Sequence, residues 1–267
     1  MDIIKRNFFK LLRSGALNKF EAIEPMSEYK WNRLFQMIYA QEVWPIALKG
    51  IKNHQYDRNM NIPKSLLQNV DRIYDNPQKE NKTVQLSNFF LNMRLNKIRN
   101  DERHSIDTSI YALELLDIIV FNVNAILNNG ISLRGIIDLG KYLRIKGDKV
   151  DFVKLGCWLE SLHIKRMAQL EGSILITIFN FNKEEIPFVI QIEPAAKKLT
   201  IRTVNHIAID TAKEWHFRQS RSGFVRNNST VLRRNLRRSI RYIGFAPMET
   251  TSNFFNNFVR SLSEIEE

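Results

Sequence analysis

A chain of 267 residues that is 44% hydrophobic and 25% charged can bury one large core or two smaller ones, which excludes wholesale disorder. Ten Gly and seven Pro leave little punctuation and favour long helices, while the single cysteine, Cys157, excludes an intrachain disulfide and a cysteine-based metal cluster. The formal charge of +12 sits mostly in residues 197–241, where twelve Lys and Arg face only Asp210 and Glu214, a net of +10.

The elements follow from apolar spacing. Ile4, Phe8, Leu11 and Leu12 line one face of a first helix, with Gly15 as its expected stop. Trp31, Leu34, Phe35, Ile38 and Tyr39 repeat at i, i+3, i+4, i+7 and i+8, predicting a helix over 28–43. Pro45 then breaks or kinks the chain before a short helical piece over 46–52. Pro63 opens another helical pattern through Leu66, Leu67, Val70, Ile73 and Tyr74, interrupted at Asp75-Asn76-Pro77.

A helix over about 79–99 is expected to turn Phe89, Phe90, Met93 and Ile98 inward. The polar string Asn100-Asp101-Glu102-Arg103-His104 reads as a linker, dividing an N-terminal helical region, 1–103, from a C-terminal one, 104–267, with one continuous domain as the alternative. Residues 110–127 form the most apolar stretch. They include Glu114, Asp117, Asn122 and Asn124, which lipid would not accept, so a core helix capped by Ser105 or Asp107 is expected.

Helices over 133–145, ended by Gly147, and over 152–162, entered through Asp151, come next. Residues 165–180 read as a helix, although Ile174 to Phe179 and Phe188 to Ile192 would also suit strands. The fold class is therefore mainly α, a multi-helix array with at most a short β element near 174–192. The opening Met1-Asp2-Ile3-Ile4-Lys5-Arg6 lacks a signal-peptide pattern, and a cytoplasmic protein without membrane association is expected.

Asn228 or Ser229 caps a helix near the C-terminus with Leu232, Leu236, Ile240 and Ile243 in one sector. Arg233, Arg234, Arg237, Arg238 and Arg241 occupy the opposite sector with no acid at i±4 to pair with them. Arginine's planar fork suits phosphate and carboxylate, so this face is the candidate site for an anionic partner: nucleic acid, nucleotide or an acidic protein. The alternative is a structural face that meets acids elsewhere in the fold.

Catalytic patterns are scarce. The histidines at 54, 104, 163, 206 and 216 have no zinc-binding spacing, and no glycine-rich phosphate cradle or Gly-x-Ser-x-Gly turn occurs. Cys157, beside Gly156 and Trp158, is expected as a buried structural thiol. Gly172-Ser173 followed by Glu184-Glu185 imitates a two-metal nucleotide-transfer site. Adjacent carboxylates on a strand point to opposite faces, however, and could not share the metals. Arg134 and Asp138, four apart on a helix, read first as a surface ion pair worth about 0.3 kcal/mol.

The run Gly130-Ile131-Ser132-Leu133-Arg134-Gly135-Ile136-Ile137-Asp138-Leu139 resembles a Gly-Ile-Gly-Leu-Arg-Gln-x-x-Asp-Trp signature. That signature belongs to a large nucleotidyltransferase-like family common in Bacteroidetes. Phe8-Phe9-Lys10-Leu11-Leu12-Arg13-Ser14-Gly15, Ala40-Gln41-Glu42-Val43 and Gly50-Ile51 are similar to its N-terminal region. Arg237-Arg238-Ser239-Ile240-Arg241-Tyr242 leading into Pro247-Met248-Glu249 is similar to its end. Between these blocks the family carries a Lys-Gly element and an Asp-x-Asp pair for Mg²⁺ and a nucleoside triphosphate. This chain has no Asp-x-Asp there, and Ser132 and Leu139 depart from the signature's Gly and Trp.

The resemblance implies the helical flanks of a nucleotidyltransferase without its catalytic core: a binding or regulatory module with no cofactor of its own. A core supplied in trans would bring Mg²⁺, and a purely structural subunit is the third alternative. Arg134 and Asp138 match the signature's Arg and Asp, which implies substrate orientation or helix bracing.

Overall fold

The computed structural model describes residues 1–63, 84–105, 108–214 and 228–266, with the side chains of 206–214, 228–232 and 260–266 outside the description. It is 72% helical, with no strand among the described residues, which makes the fold mainly α. The chain divides into two compact units. One comprises residues 1–83 with 204–213, and the other comprises 84–203 with 214–267.

The first unit contains α1 (Ile3–Leu17), α2 (Glu28–Ala40) and α3 (Trp44–Asn53). Asp2 caps α1 by accepting from the Lys5 N–H at 2.9 Å. Gly15 does not stop this helix: it lies buried within it, and Asn18 in the left-handed conformation ends it. Gly15 has a different task. A Cβ there would stand 1.9 Å from the Ile46 carbonyl oxygen, and one at Gly50 would stand 2.2 Å from that of Leu11. The two glycines let α1 and α3 pack backbone to backbone.

Phe8, Leu11 and Leu12 from α1 and Trp31, Leu34, Phe35 and Ile38 from α2 are buried, as their spacing predicts, whereas Ile4 is half-buried and Tyr39 is exposed. Pro45 lies in the first turn of α3 rather than breaking a longer helix, where its missing N–H costs nothing. Asn7 is buried and bonds both ways with the Glu24 backbone, donating to its carbonyl at 2.7 Å and accepting from its N–H at 3.0 Å. The helical pattern beginning at Pro63 lies outside the described residues from Lys64 onward.

The second unit is built around α5 (Ile110–Asn128), beside α4 (Phe89–His104), α6 (Leu133–Lys146), α7 (Phe152–Ser161) and α8 (Lys165–Phe179). Near the C-terminus come α10 (Asn228–Tyr242) and α11 (Pro247–Glu266). Residues of α9 (Ala195–Glu214) are divided between the units at Thr203 and Val204. Three polar side chains of α5 find partners on neighbouring segments. Glu114 takes Lys146 at 2.7 Å and the Tyr142 hydroxyl at 2.9 Å, Asp117 takes Arg99 at 2.6 Å, and Asn124 donates to the Gln85 carbonyl. By length and hydropathy α5 alone among the described helices could cross a membrane, yet here it is a core helix with Leu115, Leu116, Ile119, Val120 and Val123 buried.

Three expectations fail in this unit. Phe89, Phe90 and Met93 are exposed, because α4 buries Leu91 and Leu95 instead, and Ile98 is only half-buried. Residues 100–104 belong to α4, where Glu102 is buried and accepts from the Ser109 N–H. Cys157 is exposed, since α7 buries only Leu155 and Leu159 and the thiol falls on another face.

Other expectations hold. Asp151 caps α7 through the Val153 and Lys154 N–H groups at 3.0 and 2.9 Å, and α8 is a helix throughout. Its Gly172 admits the following apolar run: a Cβ there would lie 2.3 Å from Val189 Cγ2. Phe188 and Val189 are thus held by packing against a helix, with no strand partner among the described residues. The expected cap of α5 is not Ser105, which instead follows the end of α4; Ser109 precedes α5 without a side-chain cap, and Asp107 lies outside the described residues.

Candidate anion-binding face

The five arginines of α10 do not form one uniform surface. Arg233, Arg234 and Arg237 are exposed, whereas Arg238 and Arg241 are half-buried. The inward face of the helix is Asn235, Arg238, Ser239 and Tyr242, spaced i, i+3, i+4 and i+7, with Tyr242 fully buried. Burial pushes the Tyr242 hydroxyl above its ordinary range, while nearby Arg241 and Arg238 oppose that shift.

The apolar sector is not inward. Leu236 is 45% exposed, Ile240 65% and Ile243 43%. The spacing rightly groups these three residues, but their row lies to one side of the packed face and the exposed arginines lie to the other. Residue 232 falls outside the described side chains. Among the described residues, neither Arg233 nor Arg237 is in an ion pair, so α10 carries aliphatic and cationic rows side by side on its surface.

The helix is held from beneath by α11 and α5. α11 is itself anchored by Glu249, a buried carboxylate that accepts from the Ser87 N–H at 2.5 Å and the Asn88 N–H at 3.1 Å. These donors lie at the start of α4, where Asn88 also accepts from the Leu91 N–H at 3.0 Å. Asn253 adds a bond to Asn128 Oδ1 at 3.0 Å. The carboxylate of Glu249 therefore ties the helix that supports α10 to the body of the unit.

Arg134 and Asp138 are both exposed on α6 and form no ion pair among the described residues. Asp138 borders a cavity and Arg134 does not. Partial burial raises the Asp138 carboxyl above its ordinary range, with Lys141 and Arg134 pulling it back. Gly172 and Ser173 lie inside α8, and Glu185 pairs with Arg144 at 3.0 Å. The imitation of a metal site is thereby dispersed over a helix and a turn. Among the described residues no three His, Cys, Asp or Glu side chains converge as metal ligands.

One buried pair escaped sequence reasoning. Glu171 is fully buried on α8 and accepts from Asn122 Nδ2 at 3.0 Å. Desolvation raises its carboxyl well above the ordinary range, and the Asn122 bond only partly opposes this. The signal was present: Glu171 lies four residues after Met167, on the same stripe as Ile174 and Ile178, and an acid on such a stripe requires a buried polar partner.

No protein-family model, curated protein or solved structure matches the chain.

Proposed function

We propose that the chain is a non-catalytic binding module, derived from a nucleotidyltransferase-like scaffold, that offers α10 to an acidic protein segment. The observation carrying this reading is the adjacency of exposed Arg233 and Arg237 to exposed Leu236 and Ile240 on one helix. A phosphate backbone would satisfy the arginines and leave the aliphatic row in water. An amphipathic segment with carboxylates beside an apolar edge would satisfy both. Nucleic acid and free nucleotide are therefore the weaker members of the anionic class.

The resemblance to nucleotidyltransferase flanks supports a non-catalytic role through the missing Asp-x-Asp pair. The test is a titration of the full chain with a Glu-rich amphipathic helical peptide and, separately, with a duplex oligonucleotide over a range of salt. The peptide is expected to bind more tightly. Arg233→Glu with Arg237→Glu should weaken it by about tenfold or more, and Ile240→Ala should weaken it as well. Tighter oligonucleotide binding with a steep salt slope, indifferent to Ile240→Ala, would assign α10 to nucleic acid instead.

A further inference from the structure

A cavity of about 250 Å³ opens between α5 and α6 in the second unit, at a distance along the chain from the α10 face. Its apolar walls are Val84, Ile118 and Phe121, and its polar wall is Asn122, Gly135 and Asp138. Asn122 is 1% exposed, and both acceptors of its amide N–H groups are known: the Gly135 carbonyl at 3.2 Å and Glu171 Oε2 at 3.0 Å. Those two bonds set the orientation of the amide. They leave Asn122 Oδ1 as a buried acceptor with no hydrogen-bond partner among the described residues.

A buried acceptor without a partner is costly, and native folds keep few of them. Gly135 is what permits this one, because a Cβ at that position would stand 2.1 Å from Asn122 Oδ1. One turn along α6, Asp138 brings a carboxylate that no ion pair occupies among the described residues. Asp117, the remaining polar group at the cavity, is already held by Arg99 at 2.6 Å. The polar side chain left for a ligand at the cavity is thus the Asp138 carboxylate, an acceptor, and the ligand must bring the donor.

We propose that this cavity binds a small molecule bearing a protonated amine or amidine on a flat apolar body. The cationic group bonds to the Asp138 carboxylate and lies close to the Asn122 amide, while the flat body stacks on Phe121 between Val84 and Ile118. An anion of the same shape meets the Asp138 carboxylate. A hydrocarbon leaves that carboxylate without a donor. The volume suits a ligand at the lower end of the size range of small-molecule sites.

Benzamidine and its anionic counterpart benzoate test the assignment by NMR titration of the ¹⁵N-labelled full chain. Benzamidine should give saturable shifts at the amides of residues 118–122 and 135–138, and benzoate should give none. Asp138→Asn should weaken benzamidine by about tenfold or more, and Phe121→Ala should weaken it to a smaller degree. Both positions are exposed, so the variants are expected to keep the wild-type melting temperature. Absence of saturable shifts at millimolar benzamidine would overturn the proposal. So would equal binding of benzoate, or unchanged affinity in Asp138→Asn.

Discussion

Helices α2 and α10 carry equally legible amphipathic patterns and use them in opposite ways. In α2 the apolar row of Trp31, Leu34, Phe35 and Ile38 is buried, with Trp31 at 0% exposure. In α10 the row of Leu236, Ile240 and Ile243 faces solvent, and the helix packs through Asn235, Ser239 and Tyr242. Periodicity establishes which residues share a face. It does not establish that the face meets the core, because an exposed apolar row can equally await a partner.

The comparison can be broken by substitution. Trp31→Ala should destabilise the first unit by about 4 kcal/mol, the usual cost of emptying an aromatic site in a core, in a denaturant titration. Gly15→Ala should cost about 3 kcal/mol, because its Cβ would collide with the Ile46 carbonyl and drive α1 from α3. Glu249→Ala should cost about 2 kcal/mol in the second unit by leaving the Ser87 and Asn88 N–H groups unpaired, and should loosen the support of α10. Ile240→Ala should change stability by less than about 0.5 kcal/mol, since nothing of the core is removed. A cost at Ile240 comparable with that at Trp31 would erase the contrast.

Glu171 sharpens the contrast from another side, since its raised carboxyl gives a signed pH dependence. A carboxyl whose folded pKa exceeds its unfolded one holds its proton more tightly in the fold. Stability from this group is therefore fullest below the unfolded carboxylate range and is lost as pH rises through the folded pKa. Glu171→Gln should remove that decline. The variant should exceed the wild type by about 1 kcal/mol or more above the folded pKa, and match it in acid, when unfolding is followed against pH.

Much of the helical framework was legible because it rests on local chemistry: the apolar stripe of α2 and the Asp151 cap of α7. What was illegible depends on contacts far along the chain. Gly15 resembles a helix stop until α3 is placed against it, and Glu102 resembles a linker residue until it accepts the Ser109 N–H. Phe89 and Phe90 resemble core residues, yet Leu91 and Leu95 take that position in α4. The arginines of α10 were found from the local charge run and helical spacing. Their division between an exposed set and the pair beside Tyr242 required the neighbouring helices. The cavity beside Asp138 needed α5, α6 and Val84 together.

The central claim, that α10 holds its aliphatic row in solvent for an acidic partner, is tested most directly by thiol labelling at position 240. Ile240→Cys in a Cys157→Ser background removes the other exposed thiol and leaves one reporter on the row. The account predicts rapid labelling of the folded chain, as for a thiol that needs no opening of the structure, and marked protection on adding the acidic amphipathic peptide. Slow labelling before any peptide is added would contradict it, as would labelling that the bound peptide leaves unchanged.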